Sequence, residues 1–518
     1  MTKKTQGAIA AGHEKTAAAG KAMFELGGNA FDAAAAAILA AFVTEPGLTS
    51  AGGGGFLLAH TFDNQNILFD FFTQTPRHKK PASEINFYPI DVDFGGAIQE
   101  FHIGLGSIAV PGNIAGVFHF HKKLGKLPLK VVIEPALDYA KNGVKIDKFQ
   151  AYCFTILKPI LMGAETPKKI YAPQGKLLEY GDILYMPNFA NTLEYLADQG
   201  IKEFYQGEIA HLLVKNCQEQ GGYLTLEDLQ NYRVIERKPL TITYRDRTLL
   251  TNPPPSSGGT LIAFALQMLE TVDLSNIEFG STHHLQILAE IMRLTNEARK
   301  DNYDINVYQD NVAEKFLSPE HLQPYIQQLT GITNKWGSTT HISTMDAEGN
   351  AASMTSSNGE GSSYMIPGTS IMLNNMLGEE DLNPQGFYNW PENRRISSMM
   401  SPTIVLNNNQ PEIVIGSGGS KRIRTAILQV ISNLIDFKMS VDKAVDSPRI
   451  HWENNIFSIE PGLNAEEIKE LAVTDTKEVV LWQEKNMFFG GVHTVIKNKN
   501  GELEGAGDGR RNGAIAQT

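Results

Sequence analysis

The sequence predicts an α+β protein, and three stretches carry that expectation. Thr339-Thr340-His341-Ile342-Ser343-Thr344-Met345 runs into an acidic, glycine-containing corner at Asp346 to Asn350 and returns as Ala351-Ala352-Ser353-Met354-Thr355, the pattern of a β-hairpin. The Ala-rich run from Ala33 to Val43 reads as a closely packed helix, followed by four glycines at 52 to 55 and an apolar strand from Phe56 to Ala59. Further on, a strand from Leu240 to Tyr244 precedes a Pro/Ser/Gly turn and a helix.

Taken in order, His13 to Leu26 is rich in helix formers and closes on Gly27-Gly28-Asn29, a helix stop. Asp32 is placed to cap the next helix, Ala33 to Val43. Thr44-Glu45-Pro46 then turns the chain into the glycine run, which implies tight backbone approach; no Lys or Ser/Thr follows at the spacing of a phosphate loop. Gly104 to Gly112 is a small-residue turn before a helix through Phe118 to Leu124, and a mostly helical stretch reaches Gln220. Pro253-Pro254-Pro255-Ser256-Ser257-Gly258-Gly259 fixes a turn ahead of a helix from Thr260 to Leu269. His283-His284 open another helix, Leu285 to Glu297; adjacent histidines project to different sides of a helix, so no metal site is expected there. Residues 301 to 338 read as polar and irregular, and Pro402 to Leu406 as a strand.

At 518 residues the chain exceeds what a single core usually covers, so length alone suggests two or more domains. Apolar residues make up 42%, enough for a sizeable interior. A net charge of -12, with no basic run interleaved with aromatics, disfavours nucleic acid and anionic membranes as partners. Cys153 and Cys217 are the only cysteines; they read as buried thiols or one disulfide, and neither has a metal-ligand spacing. The start, Met1 to Gln6, is basic and polar, and the Ala-rich run is too short to cross a bilayer. A cytoplasmic location is the expectation.

The hairpin carries a chemical possibility. Counting outward from its corner sets Thr339 roughly opposite Ser357-Asn358, where cross-strand side chains approach to about 5 Å. A hydroxyl is a poor nucleophile until a base takes its proton, and scission just before Thr339 would make its own α-amine that base. With a reference pKa of about 8, such an amine is substantially neutral near physiological pH. Taken alone, Thr-Thr-His reads better as a plain strand, because β-branched residues favour strands.

The wider pattern decides between these. Gly52-Gly53-Gly54-Gly55-Phe56, Pro253 to Gly259, Thr339-Thr340-His341, Ser397-Ser398-Met399 and Gly416-Ser417-Gly418-Gly419-Ser420 occur in an order that resembles the γ-glutamyltranspeptidase (glutathione hydrolase) family, from about Gly7 to Ala514. The resemblance implies one intertwined unit, a four-layer αββα sandwich of the N-terminal-nucleophile hydrolases, rather than separate domains. It implies autoproteolysis between Ser338 and Thr339 into segments 1–338 and 339–518, which stay together as a heterodimer of the chain's own fragments, with a dimer of these heterodimers left open. Thr339 matches the nucleophile and Ser357 the hydroxyl that hydrogen-bonds it. Gly418 and Gly419 match the oxyanion glycines, and Ser397 and Ser398 the pair that holds the substrate's α-carboxylate. Asn358, Glu379 and Glu380 stand near the positions that bind the rest of the γ-glutamyl group. No cofactor or metal is implied; the partners are a small γ-glutamyl or amide substrate and water or an amine acceptor.

One position departs from the family. An arginine is expected soon after the Asp-Phe pair, as a bidentate carboxylate clamp, but Phe69-Asp70-Phe71-Phe72-Thr73-Gln74 places Phe72 there, and Arg77 is out of register. The rivals are therefore an acylase or amidase of the same architecture acting on another acyl group, and a binding or scaffold protein that kept the fold without the chemistry.

Overall fold

Successive strand residues face opposite sides of a sheet, and this chain uses the alternation to feed two separate cores. In the Gly7–Ala11 strand, Ile9 and Ala11 enter one core while Ala8 and Ala10 enter the other; Leu57 and Ala59 oppose Phe56 and Leu58 in the same way. The computed structural model describes residues 4–93, 98–328, 339–383, 385–453, 456–471 and 476–518.

Two large antiparallel sheets organise the molecule, and the class is α+β as expected. The first runs Ala514–Gln517, Gly7–Ala11, Thr340–Asp346, Ala351–Ser357, Gly54–His60, Asn66–Phe71, Ile235–Arg237; the second runs Leu503–Ala506, Gly491–Lys497, Gln410–Gly418, Thr403–Asn407, Arg247–Thr251, Leu240–Tyr244. Hydrogen bonds cross between them: Ser353 Oγ donates to the Ile415 carbonyl at 2.9 Å and accepts from the Thr403 amide at 3.0 Å, and Ser343 Oγ donates to the His493 carbonyl at 2.9 Å. Each sheet takes strands from both sides of residue 339, so length does not translate into independent domains here.

The Ala30–Thr44 helix is buried along its whole length and belongs to the first core, where its small side chains permit close approach. Its N-cap is Asn29, which accepts from the amides of Phe31 and Asp32, while Asp32 closes the capping box three residues in. The expected cap at Asp32 is thus one turn too late: the helix begins at Ala30 and Asp32 is its third residue. The Gly258–Glu270, Thr282–Ala298 and Arg422–Ile435 helices bury their apolar sides in the second core.

The stretch expected to be irregular is helical in part. A π-helical turn, Arg299–Tyr303, continues the Thr282–Ala298 helix, and Val312–Phe316 and Pro319–Gln328 follow. Val312, Phe316 and Leu322 are buried in the second core, which supplies what the polar sequence lacks in helix preference. Residues 329–338 of that stretch, with Gly337 and Ser338, lie outside the described residues. Cys153 and Cys217 are both free and buried, each thiol pushed up to about 12 by burial. Among the described residues no helix is long and apolar enough to cross a membrane.

Candidate active site

The hairpin pairs Thr340 with Ser356 and His341 with Thr355, and one further step in this register sets Thr339 opposite Ser357. Thr339 lies just ahead of the strand and is 4% exposed. Its carbonyl oxygen accepts from Arg511 Nη1 at 3.1 Å. A Cβ built on Gly418 would sit 1.9 Å from the same oxygen, so only glycine fits there. Gly418 ends its strand, and Gly419 takes φ +121°, a backbone setting that excludes most side chains. Gly418, the first of the two sequence-predicted glycines, is therefore in direct backbone contact with the predicted nucleophile, while Gly419 faces Gly490 and Arg511.

Around them the hydroxyl and glycine motifs interlock. Ser357 Oγ accepts from the Gly359 amide at 3.0 Å. A Cβ on Gly53 would meet the Ser357 carbonyl at 2.2 Å, which is the close approach the glycine run implies. Thr340 donates to Glu45 Oε2 at 2.5 Å and Thr16 to Glu45 Oε1 at 2.7 Å; burial raises the Glu45 pKa, with these two hydrogen bonds opposing it. On the opposite side of the strand, His341 bridges Thr355 and Ser343 and packs on Gly416; burial holds it well below the usual imidazole range, so it is neutral.

The Pro253–Gly259 turn builds a cleft with the Ser397-Ser398 segment. The Ser257 and Gly258 amides and Ser256 Oγ all donate to the Ser398 carbonyl, and Ser257 Oγ lies 3.1 Å from Ser397 Oγ. Ser398 Oγ accepts from the Met400 amide at 3.0 Å, leaving Ser397 the more accessible of the pair. The cleft has Trp390, Ile396 and Leu382 on its walls and Arg299 and Asp304 at one side. Asp381 also lines it, accepting from Lys421 Nζ at 2.9 Å and Ser420 Oγ at 2.8 Å. Ser420 directly follows the two glycines in sequence.

The other expected substrate residues divide. Asn358 is buried, its Nδ2 at 3.5 Å from the Leu373 carbonyl and its Oδ1 without a partner among the described residues. Glu379 turns Oε1 inward toward Gly359, and burial, then the charges of Glu360 and Asp381, push its pKa well upward. Glu380 is exposed on a short 3₁₀ turn, Glu380–Leu382. Of this acidic run, Asp381, next to the expected pair, is the residue that faces the cleft.

Phe72 is 1% exposed and stacks on Phe56 at 5.3 Å, within the second core. No guanidinium occupies its position. Arg77 lies 3.9 Å from Glu227, and the nearby Arg395 is held by Asp70 at 3.2 Å, by the Phe72 and Arg233 carbonyls, and by the Tyr232 ring. His284 packs between Phe279 and Phe437, its pKa pushed down to about 4 by burial. Arg511, Glu45, Asp381 and Arg299 escaped sequence reasoning. The adjacent Arg510-Arg511 pair near the end of the chain was the one available signal.

Comparison with known proteins matches this arrangement to one group. The family model described as gamma-glutamyltranspeptidase matches residues 16–518. The chain is 32% identical to the glutathione hydrolase proenzyme of Escherichia coli over 98% of this chain and 90% of that protein. It is 28% identical to the acylase ACY 1 proenzyme of Pseudomonas sp. strain SE83, over 98% of this chain and 93% of that one. Among solved structures, cephalosporin acylase from Bacillus halodurans superposes with a TM-score of 0.87 at 25% identity, covering 99% of this chain and 96% of that chain. With its hydroxyl hairpin, its paired glycines and nearly its whole length accounted for, the chain belongs to the gamma-glutamyltranspeptidase family.

Proposed function

We propose that the chain is an N-terminal-threonine amidohydrolase that cuts itself ahead of Thr339 and then transfers or hydrolyses a γ-glutamyl or related acyl group. The observation that carries this reading is the contact of the Thr339 carbonyl with both Gly418 and Arg511. In maturation, Thr339 Oγ attacks the carbonyl carbon of residue 338, the peptide C–N bond gives way to an ester, and water hydrolyses that ester to free the amine. In turnover the amine takes the hydroxyl proton as Oγ attacks the substrate amide. The oxyanion is received by the Gly418 and Gly419 amides, such donors each contributing roughly 2.7–4 kcal/mol. The ammonium returns the proton to the departing amine, and water or an amine acceptor then releases the acyl group.

The two stacked sheets, flanked by the two sets of helices, support a four-layer αββα sandwich shared by fragments 1–338 and 339–518. N-terminal sequencing of the smaller fragment tests the reading: it should begin at Thr339. Thr339→Ala should stay one chain and release no acyl group, and unchanged scission and turnover in that variant would sink the proposal. Phe72 favours a second reading, an acylase for a different acyl group; a panel of acyl anilides separates the two.

A further inference from the structure

The buried Phe72 leaves a question of where a substrate carboxylate would be held, and Arg299 answers it. Arg299 follows the Thr282–Ala298 helix, is 9% exposed and lines the cleft beside Ser257, Ser397 and Ser398. Its Nε donates to both oxygens of Asp304 at 2.9 Å. Its Nη1 and Nη2 donate to no acceptor among the described residues. Asp304 thus fixes the guanidinium plane through one edge and leaves the terminal fork for a ligand. The other acid of the cleft, Asp381, is already matched by Lys421.

We propose that Arg299 supplies the carboxylate-binding fork that position 72 lacks, and that the substrate is an amide whose acyl group carries a carboxylate. A planar carboxylate accepts two parallel N–H bonds from such a fork, with the Ser397 and Ser257 hydroxyls adding donors at its rim. Trp390, Ile396 and Leu382 line the same cleft and would flank the carbon chain of such an acyl group. The inference rests on the Thr339 reading for the reaction, while the binding claim stands on the cleft alone.

The test uses the full chain and two probes, glutarate and butyrate, titrated by calorimetry, so that no turnover is needed. Wild type should bind glutarate about tenfold or more tightly than butyrate. Arg299→Met should erase that preference and Arg299→Lys, which keeps the charge but loses the fork, should retain part of it. Equal glutarate binding by wild type and folded Arg299→Met overturns the assignment, as does a wild type that does not prefer glutarate. Should Arg299→Met fail to fold, Arg299→Lys decides: undiminished preference overturns the fork. In turnover, the Arg299→Lys defect should appear as a KM for γ-glutamyl anilide raised by a larger factor than the KM for butyryl anilide. A chain that never cuts ahead of Thr339 counts against the amidohydrolase reading; a chain that cuts but does not discriminate counts against Arg299.

Discussion

Arg511 holds the carbonyl oxygen of Thr339 through Nη1 at 3.1 Å, while its Nη2 donates to the Met487 carbonyl at 3.2 Å. The guanidinium therefore ties the first peptide plane of the nucleophile to the loop ahead of the Gly491–Lys497 strand. Hydrogen bonds from a charged donor contribute about 1.5–3 kcal/mol, so Arg511→Met should slow scission or turnover roughly 10- to 100-fold. Arg511→Lys should recover part of that loss. Timed electrophoresis and anilide hydrolysis measure both.

Gly418→Ala gives a sharper outcome. Its methyl would lie 1.9 Å from the Thr339 carbonyl oxygen, and a strand end cannot retreat as a flexible side chain can. Loss of the oxyanion geometry should cost about 10²- to 10³-fold in turnover. Circular dichroism should show the fold retained while the rate falls.

Phe72→Arg should not restore a carboxylate clamp. The side chain sits on Phe56 in the core, and the nearby acid, Asp70, is already shared by Arg237 at 2.8 Å and Arg395 at 3.2 Å. An uncompensated buried charge costs about 3–5 kcal/mol, so urea unfolding should move to markedly lower concentration without a gain in γ-glutamyl turnover.

Acid should destabilise the fold through its buried histidines. Burial pushes His284 and His493 down to about 4 and His451 to about 3, against an ordinary 6.5. As pH falls through 6.5 the unfolded imidazoles take up protons that the folded ones refuse. The unfolded state is then the greater proton binder, so stability drops from about pH 6.5 toward pH 4, by up to about 1.4 kcal/mol per pH unit for each histidine. Glu45 and Glu379, raised by burial, act in the opposite sense above pH 4.5, since the folded state keeps their protons longer. Urea midpoints at pH 7 and pH 5 should show the net decline, and His284→Gln should flatten it.

The hairpin register was legible in the sequence because a short corner fixes which residues oppose one another, and that alone set Thr339 across from Ser357. The glycine run and the Ala-rich helix were legible for similar reasons: small residues in a row have few uses other than close approach. Arg511 was not, since 172 positions separate it from Thr339 and only the closing of both sheets brings them together. Arg299 and Asp381 were hidden in the same way. The helices between 312 and 328 were missed because their preference is weak and their burial comes from distant partners. Position 72 was read as apolar and out of the clamp, yet its place between the sheets was visible only in three dimensions.

Residue 339 sits where its strand is zipped on one edge to Gly7–Ala11 and on the other to Ala351–Ser357. Severing the chain there would turn one polypeptide into two that must meet in solution before either sheet can be rebuilt. Such a cut would have to follow assembly, and a cut sample once melted should regain its shape only as a function of how concentrated it is.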